Sequence, residues 1–270
     1  MPPLREGDTG GGGASLIFFG REGEKRRERL ARMRVLLTVE TRSSKRRAAS
    51  RLGPSCRCLF LDLPMDQTRY LRRLAEGESP ERVVGEMESR GKVRIPEDLQ
   101  ELRALDPLLR VLSGREVRIF GYRDPSSYRI SRETAEDLLR LTVRAKLGRI
   151  RAGEWKEVLR REVESRLEAA GLEADFIASR AEEENVCLDA PAELVSLLSE
   201  RGFEMEVETV DPPCRPLDLL LSRVREERLG GREVGEEEVG GLVREHLRFV
   251  DLVVERGYER AYELWKLRAG

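Results

Sequence analysis

A chain of 270 residues, 37% charged and 39% hydrophobic at a formal net charge of −1, is long enough to bury a sizeable core without covalent staples. Its composition excludes a disulfide scaffold, a collagen-like chain and wholesale disorder. No run of about 18 uninterrupted apolar residues offers a membrane span, and no basic start leads into an apolar export signal, so no membrane contact and a cytoplasmic location are expected.

Residues 1–14 are polar and Gly-rich and read as a flexible lead. They lack the lysine and the preceding strand of a phosphate-binding loop. Short apolar runs follow. Ser15–Phe19, Arg34–Glu40, Cys58–Leu63, Glu116–Gly121, Asn185–Leu188 and Phe203–Val210 read as strands, the first three almost continuously apolar, as buried parallel strands are. Between them lie helical segments at Glu22–Met33, Ser43–Leu52, Gln67–Ala75, Ser79–Arg90 and Pro96–Leu112. Ser79-Pro80-Glu81 supplies a cap with proline in the first turn, and Gly114 a stop.

The alternation predicts an α/β fold: a mostly parallel central sheet of about six strands flanked by helices. Two long helices around Gly148–Gly153 interrupt the rhythm and read as a helical insertion at about 131–170 of an α/β domain spanning 15–212. After a helix at Ala190–Arg201 and the last strand, Asp211-Pro212-Pro213 closes the domain. Residues 213–270 form a C-terminal helical extension, with helices near Leu217–Leu229 and Glu236–Arg268. The second carries an apolar stripe (Val239, Val243, Leu247, Val250, Val254, Ala261, Trp265) that suits packing on the domain or on a second copy in a homodimer.

The near-zero charge conceals a split. Residues 1–60 hold 14 basic and 6 acidic side chains, a balance of +8, and the remainder 36 and 45, a balance of −9. Lys25, Arg26, Arg29, Lys45, Arg46 and Arg47 are therefore the candidates for contact with nucleic acid or an acidic partner, set against a plain solvated helix face. Of the 50 basic residues 44 are Arg, a bias expected of a GC-rich genome from a hot habitat, and the dense mixed charge suits surface ion-pair networks at high temperature.

Cys56 and Cys58 form a lone CxC, and Cys58 and Cys187 lie in apolar strand-like runs as small core residues. With no second pair of soft ligands nearby, no structural metal is assigned. His246 is the only histidine in the chain, so Ser-His-Asp and Cys-His catalysis lack their base, and it reads as packed or surface-bound. Trp155 and Trp265 lie on amphipathic helices and read as core.

In parallel α/β sheets, ligands collect at the carboxyl ends of strands. The residues there include Glu22, Glu40 and Asp62 as candidate catalytic carboxylates, with Tyr122, Arg123 and Asp124 beside them as ligand-binding candidates. Such a group could do acid/base work, and a divalent metal is an alternative use of the carboxylates, although no cofactor is predicted.

The order of elements resembles the superfamily that groups TraB-like proteins, erythromycin esterases, ChaN-like proteins and TIKI proteases. The matching pieces are Ser15–Gly20 with Glu22, Val35–Glu40 or Cys58–Asp62, Val117–Asp124, a helix carrying Arg180, Asn185–Leu188, Ala192-Glu193-Leu194-Val195 and Phe203–Val210. They span residues 15–210. The resemblance implies metal-binding or hydrolytic machinery, with Arg180 meeting an anionic group. The superfamily's histidines are absent from Gly20-Arg21-Glu22-Gly23-Glu24 and from Asp189-Ala190-Pro191-Ala192-Glu193. It therefore implies a catalytically degenerate binding or regulatory protein for a small ligand or a protein partner, the alternatives being a carboxylate- or metal-dependent hydrolase and a nucleic-acid-associated protein.

Overall fold

The structure, a computed structural model, describes residues 31–91 and 97–269. Among them five strands, β1 (Arg32–Leu37), β2 (Cys58–Pro64), β3 (Arg118–Arg123), β4 (Glu184–Leu188) and β5 (Glu204–Thr209), form one all-parallel sheet in the order β3-β2-β4-β1-β5. The sixth expected strand, Ser15–Phe19, lies outside the described residues, as do residues 22–30 of the first expected helix.

The end of that helix is corrected. Arg32 and Met33 open β1, where Met33 pairs beside Asn185 and Met205 and is fully buried. The strand stops at Leu37 because the next backbone N–H, of Thr38, donates to the Asp189 side chain rather than to a neighbouring strand.

Helices α1 (Arg42–Arg51), α2 (Thr68–Ala75), α3 (Pro80–Ser89) and α4 (Glu97–Leu112) cover one face of the sheet. Ala48, Leu71, Val84 and Leu108 pack there on Leu36, Leu59, Leu61 and Leu188. Ser79 caps α3 by accepting from the Arg82 N–H, with Pro80 in the first turn. A Met65–Gln67 3₁₀ turn leads into α2.

On the other face lie α6 (Ala152–Ala178) and α7 (Ala192–Glu200), through Ala174, Ile177, Leu194 and Leu198 against Met33, Val35, Phe60 and Cys187. Period-two alternation in β1 splits Leu36 from Met33 and Val35 and so serves both layers. The two long helices, α5 (Pro125–Lys146) and α6, form the β3–β4 crossover, and the end of α6 is part of the sheet's cover.

A second core joins α5 and the first half of α6 to α8 (Pro216–Arg228) and α9 (Glu236–Arg256), with Leu141, Trp155, Leu159, Leu220, Val239 and Val243 buried together. The expected last helix is two. Gly257, at φ +75°, ends α9 in a conformation that disfavours side-chain-bearing residues, and α10 (Tyr258–Ala269) starts anew. Ala261 and Trp265 of the apolar stripe pack on the domain, whereas Val254 is 80% exposed. No helix among the described residues is long and apolar enough to cross a membrane.

Candidate functional site

The sheet order creates one place where the chain leaves neighbouring strands in opposite directions. From β1 it passes to α1 on one face, and from adjacent β4 to α7 on the other. Such a switch point leaves a crevice beyond the strand ends, where ligands of open α/β sheets bind.

Lys45 and Asp189 occupy this crevice. Lys45 lies in the first turns of α1, 6% exposed, and Asp189 directly follows β4. The Lys45 ammonium donates to Asp189 Oδ2 at 2.7 Å and also to Thr38 Oγ1. The Thr38 N–H and hydroxyl bind the same carboxylate, at 2.6 Å to Oδ1 and 2.8 Å to Oδ2. Asp189 holds φ +56°, a left-handed conformation that Asp tolerates better than most residues. Its backbone is fixed from both sides: its N–H donates to the Leu36 carbonyl at 3.0 Å, and its carbonyl accepts from the Tyr122 hydroxyl at 3.3 Å.

A narrow annex of about 40 Å³, lined by Glu40, Lys45, Asp62, Glu101 and Asp189, adjoins a main cleft of about 840 Å³. Arg123, Arg166, Glu162, Tyr128 and Tyr258 are among the residues lining that cleft. At its floor, Asp62 at the end of β2 receives a fork from Arg166, at 3.1 and 3.4 Å, and a third contact from Arg123 at 3.3 Å. Burial would push the Asp62 carboxyl up, but the charges of Arg166 and Arg123 overcome it and hold the group at about 2.

Behind Arg123 the Glu173 carboxylate is buried 3.4 Å from Nε, and burial raises its pKa. Glu162 accepts from Ser131 Oγ at 2.7 Å through Oε1, while its Oε2 is buried with no hydrogen-bond partner.

Several sequence-predicted residues therefore converge. Asp62 and Arg123 form the floor, and Glu40 stands on the rim, 3.7 Å from the Arg215 guanidinium. Tyr122 is wholly buried and acts from beneath, and burial raises its phenol well above the ordinary value.

Others do not belong. Asp124 caps α5 by accepting from the Ser127 N–H at 2.8 Å. Arg180 is corrected: it lies near the amino ends of β3 and β4, away from the cleft, stacked on Phe176 with its carbonyl accepting from Arg118. Glu22, Lys25, Arg26 and Arg29 lie outside the described residues.

The three basic candidates on α1 differ in exposure. Lys45 faces inward, Arg46 is exposed, and Arg47 pairs with the fully buried Asp211 while its own side chain stays 41% exposed. Lys45 is drawn in toward the half-buried Asp189, and Arg47 reaches the buried Asp211 from the surface.

Lys45, Asp189 and Arg166 were not among the expected ligand-binding residues. The first two carried a signal, as a lysine early in the helix after a strand and an acidic residue at a strand end. Arg166 carried none, being one of many arginines on long helices.

The four cysteines are buried and free; burial lifts the Cys56 thiol to about 11. His246 packs edge-on to Trp155, its Nε2 3.0 Å from Thr142 Oγ1. No group of three or more His, Cys, Asp or Glu side chains among the described residues could hold a metal ion.

Fold and site together define an all-parallel α/β protein with a charged cleft at its strand carboxyl ends and a small annex at its switch point. No protein-family model, curated protein or solved structure matches the chain.

Proposed function

We propose that the protein binds a phosphorylated small molecule of the nucleotide class in this cleft and acts as a binding or regulatory module rather than a catalyst. The observation that carries the reading is the placement of Lys45. A central parallel strand, a short turn and a helix with a lysine in its first turns, faced by an aspartate at the end of the adjacent strand, is the arrangement that presents an ammonium to phosphate oxygens and a carboxylate to their cation. The cleft volume of about 840 Å³ suits such a ligand.

The lining supports a cation accompanying the phosphates. Six acidic residues (Glu40, Asp62, Glu101, Glu136, Glu162, Asp189) and four basic ones (Lys45, Arg123, Arg132, Arg166) border the cleft and annex, an excess of two negative charges. A magnesium-bound polyphosphate carries its own compensation, so a metal would enter with the ligand.

Two features argue against turnover. Residues 38–44 contain no glycine, and Arg42 to Ser44 are already helical, so no open backbone cradle surrounds a transferring phosphoryl group. Asp62, held at about 2 by two guanidinium groups, is a poor general base at neutral pH. The reading does not depend on kinship with TraB-like proteins.

The test is calorimetric titration with inorganic phosphate, pyrophosphate, ADP and ATP, each with and without Mg²⁺. Magnesium-dependent binding that Lys45→Met abolishes, without hydrolysis of ATP, is expected. Absence of binding to all four at millimolar concentration overturns the reading, and steady phosphate release from ATP overturns its non-catalytic part.

A further inference from the structure

Helix α10 lies across the turn that joins β1 to α1. Val39, in that turn, is buried with Ala261, Tyr262 and Trp265 of α10 and Phe249 of α9. From this seat α10 sends two carboxylates to the start of α1. The Arg42 backbone N–H donates to Glu259 Oε1, and Ser43 Oγ donates to Glu263 Oε1 at 3.2 Å.

The first turn of α1 has no acidic residue of its own. The positive end of α1 is thus neutralised from outside, by oxygens in the positions that phosphate oxygens take at a helix start. Tyr258, the first residue of α10, also borders the main cleft, its hydroxyl accepting from Arg215 at 2.8 Å.

The two ends of α10 are held differently. Near its C-terminus Lys266 meets the buried Asp211 at 2.6 Å, and Arg47 of α1 grips the same carboxylate. At its N-terminus the connection to α9 is Gly257, at φ +75°. Displacing the first turn of α10 gives up the contacts of Tyr258 with Arg215 and Phe249, while Lys266 keeps the far end anchored.

We propose that α10 is a built-in competitor for the phosphate end of the ligand: Glu259 and Glu263 hold the donors at the start of α1, and the ligand gains them by displacing the first turn of α10. This rests on the phosphate-binding reading above. It makes affinity depend on the C-terminal helix, so that whatever draws α10 away opens the site.

The experiment compares ADP with Mg²⁺ on the full chain and on the Glu259→Gln/Glu263→Gln variant by calorimetry. Circular dichroism checks that each is folded, and Glu259→Gln alone replaces the double variant if that does not fold. Glu255→Gln, in the last turn of α9, removes a nearby charge without touching α10. Binding tightened at least about five-fold in the α10 variant, and changed less than about two-fold by Glu255→Gln, is expected.

Equal or weaker affinity in the α10 variant overturns the competitor alone, since the wild-type chain still binds. Equal tightening by Glu255→Gln also overturns it, because general electrostatics then account for the effect. No binding by any protein overturns the competitor and the phosphate-binding reading together.

Discussion

Lys45 and Asp189, 144 positions apart in sequence, meet at 2.7 Å across the seam between β1 and β4. The pair joins the first turns of α1 to the residue that ends β4, and Thr38 completes it with two further hydrogen bonds. A lysine 8% exposed at its side chain and a carboxylate 23% exposed interact more strongly than a surface pair would.

Lys45→Met and Asp189→Asn are each expected to lower stability by about 1–3 kcal/mol. The double variant is expected to lose less than the sum, with a coupling of about 1–2 kcal/mol in urea denaturation. Additive losses would show that the two side chains do not interact.

Asp62 gives the fold an acid limb. Its folded pKa of about 2 lies below the unfolded value of about 3.9, so the unfolded chain takes up the proton first. The stability it contributes is complete above about pH 4 and is lost as pH falls toward 2. Asp62→Asn is expected to cost roughly 2–4 kcal/mol at pH 7, because it leaves Arg166 and Arg123 without their shared carboxylate. Denaturation from pH 7 to pH 2 should show the wild-type advantage shrinking below pH 4, and a constant difference would contradict the assignment.

His246 acts in a higher window. Burial, then the charges of Arg215 and Lys146, lower its pKa to about 4. The unfolded histidine protonates near 6.5, so stability falls from about pH 6.5 down to about 4, by roughly 3 kcal/mol in total. As the chain's single histidine, its imidazole proton resonance can be followed without assignment. A midpoint near 4 is expected, and one near 6.5 would refute the packed ring. His246→Leu should remove the pH dependence in this window.

Gly121 is fixed by a close backbone approach. A Cβ there would lie 2.3 Å from the Pro64 carbonyl oxygen and 2.6 Å from that of Leu63, beside the register shift between β2 and β3. Gly121→Ala is expected to cost more than about 3 kcal/mol or to prevent folding, read as urea midpoint or soluble yield. Tolerance within 1 kcal/mol would mean that the strands separate there more easily than the register allows.

All four cysteines are expected to resist Ellman's reagent at pH 8 in the folded protein and to react together on unfolding, since each is buried and burial raises the Cys56 and Cys187 thiols. Rapid reaction of a single thiol would locate an opening that the packing does not contain.

The periodicity of the chain made its layers legible. Near-continuous apolar runs located β1 and β2 to within three residues, and caps such as Ser79-Pro80 located helix starts, because both are local consequences of burial and backbone hydrogen bonding. Asp62, Arg123 and Glu40 were legible as cleft residues because strand carboxyl ends converge in a parallel sheet. The strand order was not, since nothing in the sequence of β4 says that it inserts between β1 and β2.

That order also decided which charges matter. Lys45 looks like one more cation in a basic run until β4 brings Asp189 beside it. Arg180 looks well placed until the same strand carries it to the opposite end of the sheet. The break at Gly257 was misread because the apolar stripe continues through it, and a stripe records burial, not the continuity of the backbone.

The insertion of β4 has a consequence for synthesis. β1 pairs with β4 and β5, and β2 with β3 and β4, so β1 and β2 are not partners. Among the described strands, a nascent chain that has emerged only as far as α6 holds a β2–β3 ribbon and a separate β1, each with an edge of unpaired backbone N–H and C=O groups. Five residues, Glu184–Leu188, close both edges at once. About 150 residues beyond β1 must therefore be made before the described strands can join into one sheet, a long-range pairing of the kind that slows folding.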